Sequence, residues 1–202
     1  PAMSQLHAFV SEYSARDQPW RYLFQTTDVI MGTLLCLAGL ATLVWARHRP
    51  LGRQGWSGVG FVAGGFFSVL DALVTMDCSP TRSQACMAAE EAGHVSVNHV
   101  VHVGTSTIVV VGFALPILLL NSTMTRFRGF GLVVTWAWVV FTLLNGIGAV
   151  GWFVGTPMDY TGIWQRFSLG LGTLWWLILA ADDIVTARVQ DRALLLSSLT
   201  RS

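Results

Sequence analysis

Five times along the chain a stretch of about 20 residues passes with almost no charge, long enough as a helix to cross the hydrocarbon of a bilayer. The stretches are Asp28 to Ala46, Trp56 to Met76, His99 to Leu120, Phe130 to Val154 and Gly162 to Ile184. Inside lipid, backbone amides find no water and must be bonded within their own segment, so five such runs confine the fold to an all-α transmembrane bundle. Composition agrees: 11% of the residues are charged and 53% apolar, whereas a soluble domain carries about a quarter charged residues. The net charge of +1 offers no basic surface of the kind nucleic acid requires, and none is expected as a partner.

Short polar connectors separate the runs, among them Arg47 to Gly55, Asn121 to Gly129 and Thr156 to Thr161, and short connections imply antiparallel neighbours. Residues 1–27 lack the basic and apolar regions of a secretory signal. All the basic residues are arginine, and eight of them (Arg47, Arg49, Arg53, Arg126, Arg128, Arg188, Arg192 and Arg201) fall on one side of the alternating spans. Arg16, Arg21, Arg82 and Arg166 fall on the other, together with Glu12, Asp17, Asp77, Glu90, Glu91 and Asp159. Because cytoplasmic loops retain arginine, residues 1–27 and the loop 77–98 are expected to face outward. The single bundle then covers 28–186, and 187–202 forms a cytoplasmic tail helix with Leu194, Leu195, Leu196 and Leu199 along the membrane surface.

Tryptophans favour the headgroup level, which suits Trp20, Trp152 and Trp164 at the outer ends and Trp45 and Trp56 at the inner ends. Trp136, Trp138, Trp175 and Trp176 lie deeper, where packing or lipid contact is expected. Glycines recur at Gly58, Gly60, Gly64 and Gly65 and at Gly146, Gly148 and Gly151. They predict close helix packing and not a phosphate loop, because no strand precedes Gly58.

Cys78 and Cys86 share the outer loop, in a compartment that permits disulfides, so a bridge is expected in preference to free or metal-binding thiols; Cys36, inside the first span, reads as filler. A carboxylate at Asp71, about five residues from the outer end of the second span, is costly in hydrocarbon and requires compensation. The third span descends from the same side with His99 and His102 on one face, followed by Thr105 and Ser106. Asp28 opens the first span, and Gln165 and Arg166 open the fifth. Two readings stand open. Asp71, His99, His102, Arg166, Asp28 and Gln165 form an outward pocket for a lipid headgroup or other ligand, with Arg166 on an anionic group, or Asp71 is simply neutralised by Arg166 or a histidine.

Asp71, His99 and His102 could alternatively hold zinc with a bound water as nucleophile, which would make the protein a hydrolase of outer-leaflet lipid. Asp182 and Asp183 are expected to meet the inner arginines, and Glu90, Glu91 and His94 to form a solvated turn, with His7 and His48 lone surface residues. The sequence holds no G-x-S-x-G, H-E-x-x-H, P-loop or C-x-x-C.

The stretches Val10 to Gly32, Met76 to Cys86, Ala92 to His102 and Gly162 to Phe167 resemble the DUF998 family of multi-pass bacterial membrane proteins of unknown function. The resemblance implies a bacterial plasma membrane and a further span ahead of the SEYSARDQPW segment, giving six spans with both termini cytoplasmic. It supplies no catalytic role. The set of Asp and His near one face is also similar to that of membrane hydrolases of the alkaline ceramidase type, whose histidine pair at four-residue spacing this chain lacks. The expectation from sequence is therefore a membrane protein that binds lipid or serves as an accessory subunit with other membrane proteins, with the metal hydrolase as its alternative.

Overall fold

The computed structural model describes residues 3–47, 52–153 and 160–199, with side chains at all of these except 152, 153 and 194–199. Expectations resting on His48, Arg49, Asp159, Arg201 and the side chains of Trp152, Leu194, Leu195, Leu196 and Leu199 lie outside the described residues. A short 3-10 turn at Val10–Ser14 leads into α1 (Arg21–Ala46), α2 (Arg53–Leu73), α3 (Gln84–Glu91), α4 (Val97–Leu120), α5 (Arg128–Phe153) and α6 (Thr161–Leu199). All but α3 are long and apolar enough to cross a membrane. The protein is thus a multi-pass helical bundle, as the five apolar runs require.

Two helix ends differ from expectation. α1 begins at Arg21, ahead of Asp28, because polar Gln25, Thr26 and Thr27 stop burial in lipid without stopping the helix; Gln25 Nε2 instead bonds Ser14 O at 3.1 Å. α6 runs unbroken through residue 187, so the segment read as a separate tail helix continues the last span.

The bundle is organised around α2. Its neighbour α1 meets it through two antiparallel glycine pairs, Gly32 with Gly65 and Gly39 with Gly58: a Cβ on Gly65 would lie 2.5 Å from Gly32 O, and one on Gly39 would lie 2.8 Å from Gly58 O. A different face of α2, the Gly60-x-x-x-Gly64 pair, meets α4 at Gly112, where an added Cβ would lie 2.5 Å from Gly64 Cα. Lipid offers no hydrophobic drive for helix association, so close backbone approach and the dispersion it brings must supply the attraction. Pro116, buried in α4 against Gly60, removes the amide that would have bonded Gly112 O.

α5 and α6 form a second pair. Phe141 stacks on Phe167 with ring centroids 4.9 Å apart, and Thr142 and Ser168 hydroxyls bond at 2.6 Å. Among the described residues the pair packs with α4 in the half of the bundle away from the disulfide, through a core of Ile117, Met124, Val134, Trp138, Trp175 and Ile178. Trp138 and Trp175 therefore pack, whereas Trp136 is exposed on the apolar surface. The arginine-bearing connectors lie at one end together, since Arg53 Nη1 reaches Ser122 Oγ at 2.8 Å.

Asp182 is fully buried, and among the described residues it meets no arginine side chain. It accepts the amides of Thr125, Arg126 and Phe127 at 2.9, 2.7 and 2.8 Å. The positive end of α5, where amides lack intrahelical partners, supplies that compensation.

The glycine contacts give a direct test. Gly65→Ala should destabilise the bundle by about 1 to 3 kcal/mol, the usual cost of overpacking. Gly104→Ala, where an added Cβ meets nothing within 4 Å, should be neutral or slightly stabilising. Equilibrium unfolding in mixed detergent micelles reads both values.

Candidate functional site

At the opposite end from the arginine connectors, the chain builds a polar cap. Cys78 and Cys86 form a disulfide, and α3, which begins two residues before Cys86, closes with Gly93 at φ 68°. His94 N bonds Ala89 O at 2.8 Å and Gly93 N bonds Glu90 O at 3.0 Å, a Schellman ending that fixes the last turn. Glu90 follows Cys86 by one helical turn and shares its inward face. The side chain of Glu90 is mostly buried, whereas Glu91 and His94 are exposed. The expected solvated turn is thus solvated on one side only.

The N-terminal segment lies across this end of the bundle. Ile163 N bonds Leu6 O at 3.2 Å and Val10 N bonds Gln165 Oε1; Arg166 Nη1 donates to both Ala8 O and Gly162 O at 2.8 Å. Arg166 is committed to backbone carbonyls and does not line the cavity described below. Glu12, which sequence reasoning passed over, is 1% exposed and pins the segment to the loop: its carboxylate accepts from Phe9 N, Ser79 Oγ, Thr81 N and Thr81 Oγ1. Its only sequence signal is a carboxylate among Phe9, Val10 and Tyr13.

Asp77 ties the loop to the start of α4 by accepting Ser96 N at 2.6 Å and Ser96 Oγ at 2.8 Å, with Arg16 Nη1 at 3.4 Å. Burial alone would raise its pKa, but the Ser96 bonds and the Arg16 charge outweigh it and hold the carboxyl below the usual range.

The polar residues expected to form one pocket separate into two groups. Asp71 meets His102, with Nδ1 to Oδ1 at 3.3 Å, and accepts hydroxyls from Thr105 and Ser106. His102 Nδ1 also lies 3.1 Å from Asp71 O and 2.9 Å from Val74 O. Three acceptors around one nitrogen place a proton on Nδ1, and in the neutral ring Nε2 is then an acceptor. Asp28 stands within electrostatic reach of Asp71 and His102, behind the pair on the α1 side. His99 faces elsewhere: its Nδ1 accepts Asp77 N at 3.2 Å, and its Nε2 lies 3.8 Å from Glu90 Oε1. Among the described residues, no three His, Cys, Asp or Glu side chains gather as a metal site would require. Asp71, His99 and His102 therefore do not form the shared set that the zinc reading needs, because the i, i+3 spacing aims the two rings at different partners.

Beside His102 a cavity of about 270 Å³ opens between α4 and α5. Its long wall is mostly apolar, with Val103, Val110 and Val111 from α4 and Gly146 and Ala149 from α5, interrupted by Ser106 and Thr107 and by Thr142 and Asn145; Met76, Pro80, Glu90 and Phe9 cover its other end, and Gln165 borders it. Val110, Val111 and Gly146 are exposed, so the cavity opens sideways through the helix wall. Gly146, read from sequence as a packing glycine, has no neighbour within 4 Å of an added Cβ and serves as open wall. Three lining residues carry a buried atom with no partner: Glu90 Oε2, His102 Nε2 and Asn145 Oδ1. Asn145 was not legible as a site residue, since a lone asparagine in a span signals helix contact equally well.

A polytopic helical protein with a lateral cleft under a disulfide-bonded cap is the class that this architecture defines. The family model for DUF998, a protein of unknown function, matches residues 1–182, and the chain belongs to that family. Comparison with curated proteins and with solved structures gives no match.

Asp77 sets a pH expectation for the cap. A carboxyl whose pKa is lower folded than unfolded stabilises the fold above the unfolded value of about 3.9 and loses that contribution as pH falls through the folded value. Cap stability should therefore hold from neutrality down to about pH 4 and then decline. Asp77→Asn should flatten that decline. Hydrogen exchange of residues 77–98 as a function of pH measures it.

Proposed function

We propose that the protein binds a membrane lipid from the leaflet on its disulfide side, with the acyl chain in the α4–α5 cleft and the headgroup beneath the cap. The observation that carries this reading is the lateral opening of an apolar cleft whose closed end is polar. From His102 to Val111 the cleft wall descends about 13 Å along α4, close to half of a bilayer's hydrocarbon, the depth of one leaflet. A water-soluble ligand would have no use for a wall exposed at that depth.

The disulfide side is the outer side in this reading. The arginine-bearing connectors belong in the cytoplasm by the positive-inside rule, and the Cys78–Cys86 bridge belongs to an oxidising compartment. The lipid is then one of the outer leaflet of the plasma membrane, and the C-terminus is cytoplasmic.

Gly146→Phe tests the cleft, since its ring enters open space. The protein purified in mild detergent should retain lipid in native mass spectra, and the variant should retain about tenfold less with its unfolding midpoint unchanged. A parent protein free of lipid, or a variant that retains as much, would sink the reading.

A further inference from the structure

From the atoms left unpartnered at the polar end of the cleft we infer the chemical class of headgroup it selects: a primary ammonium, as carried by an ethanolamine phospholipid or a long-chain amine. This rests on the lipid-binding reading above and sharpens it. An acyl chain moving from the bilayer into the cleft exchanges one apolar surrounding for another, so selectivity must come from the polar end.

Two independent features of that end agree. The first is hydrogen-bond type. Glu90 Oε2 and Asn145 Oδ1 are acceptors, and in the neutral ring His102 Nε2 is one as well, because the other nitrogen faces the acceptors of Asp71 and Val74. His102 is 2% exposed, so water from outside does not reach that atom freely. His99 Nε2, 3.8 Å from Glu90 Oε1, is too distant to bond it, so the partner these acceptors lack must donate, and a primary ammonium carries three N–H donors and no acceptor.

The second feature is charge. Glu12 and Glu90 line the cavity and Asp71 stands behind His102, while among the described residues no arginine borders it. Arg166, the nearest candidate on α6, is spent on Ala8 O and Gly162 O. A cavity walled by carboxylates in low dielectric repels a phosphate or carboxylate tip and attracts a cation. The hydrogen bonds it would form are charge-assisted, the stronger kind.

Phosphatidylcholine provides the sharpest comparison, since its quaternary nitrogen has the same charge and no N–H to give. Native mass spectrometry of the full chain in detergent, titrated with chain-matched phosphatidylethanolamine, phosphatidylcholine and phosphatidylglycerol and with dodecylamine, reads the preference. The ethanolamine lipid or the amine should bind about tenfold tighter than the choline and glycerol lipids, and which of the two does so identifies the source of the ammonium. In Glu90→Gln that ratio should collapse to near unity. Asn145→Leu removes a second acceptor at similar volume and should lower the ratio too, so the test survives if the Glu90 variant fails to fold. Equal binding of ethanolamine and choline lipids, or a preference for the glycerol lipid, would overturn the ammonium while leaving the cleft occupied. Binding of none of the four would overturn the cleft itself.

Discussion

The backbone contact of α2 with α4 determines where every polar group near the cleft can go. Gly64 touches Gly112, and the helices run antiparallel, so residues an equal number of turns away on each helix must meet again. Asp71 lies seven residues beyond Gly64, and Thr105 lies seven before Gly112. Seven residues is close to two turns, so both fall on the contact face, and the Thr105 hydroxyl bonds the Asp71 carboxylate. The same logic holds on the α1 side, where Gly32 meets Gly65 and Ser68 Oγ lies 3.4 Å from Asp28 O one turn on. Small residues therefore do more than admit close packing. They set the register that compensates a carboxylate in hydrocarbon.

Against that background the unpartnered atoms around the cleft acquire meaning. Buried carboxylates in this chain can be fully satisfied from within: Asp182, far from the cleft, takes three backbone amides, and Glu12, on the cleft lining, takes two amides and two hydroxyls. Leaving a polar atom buried and unpaired costs about 1 to 3 kcal/mol. Asn121, Thr135, Trp175 and His99 carry such an atom too; what sets Glu90, His102 and Asn145 apart is that they line a cavity that opens to lipid, where a membrane partner could reach them. Asp71 belongs to the satisfied group, and its effect on the cleft is indirect, through the ring orientation it imposes on His102.

Much of this fold was readable because its causes are local. Apolar runs of spanning length follow from hydropathy, the Cys78–Cys86 pairing follows from spacing in one loop, and His102 beside Asp71 follows from equal depth on neighbouring helices. The site was only half readable. His99 and His102 share a face by periodicity, yet a difference of three residues is also a rise of about 4.5 Å, enough to place His99 against the cap and His102 against α2. Arg166 reads as an anion partner because its charge is visible in the sequence. The carbonyls that hold it belong to an N-terminal segment whose path over the bundle no local pattern encodes.

Glu90 and Gly146 show most clearly what sequence periodicity leaves out. Glu90 sits in a stretch that reads as solvated, and only the disulfide explains its direction: anchoring Cys86 inward rotates the whole of α3, so the residue one turn later points inward as well. Gly146 reads as packing because neighbouring glycines in α5 and α2 do pack, and Gly148, two residues on, presses against Thr161. Helical rotation over two residues is about 200°, so if Gly148 faces α6, Gly146 must face away from it, toward the gap beside α4. The cleft is thus a consequence of α5 being committed to α6 on one face, with no bulky side chain at 146 to close the other.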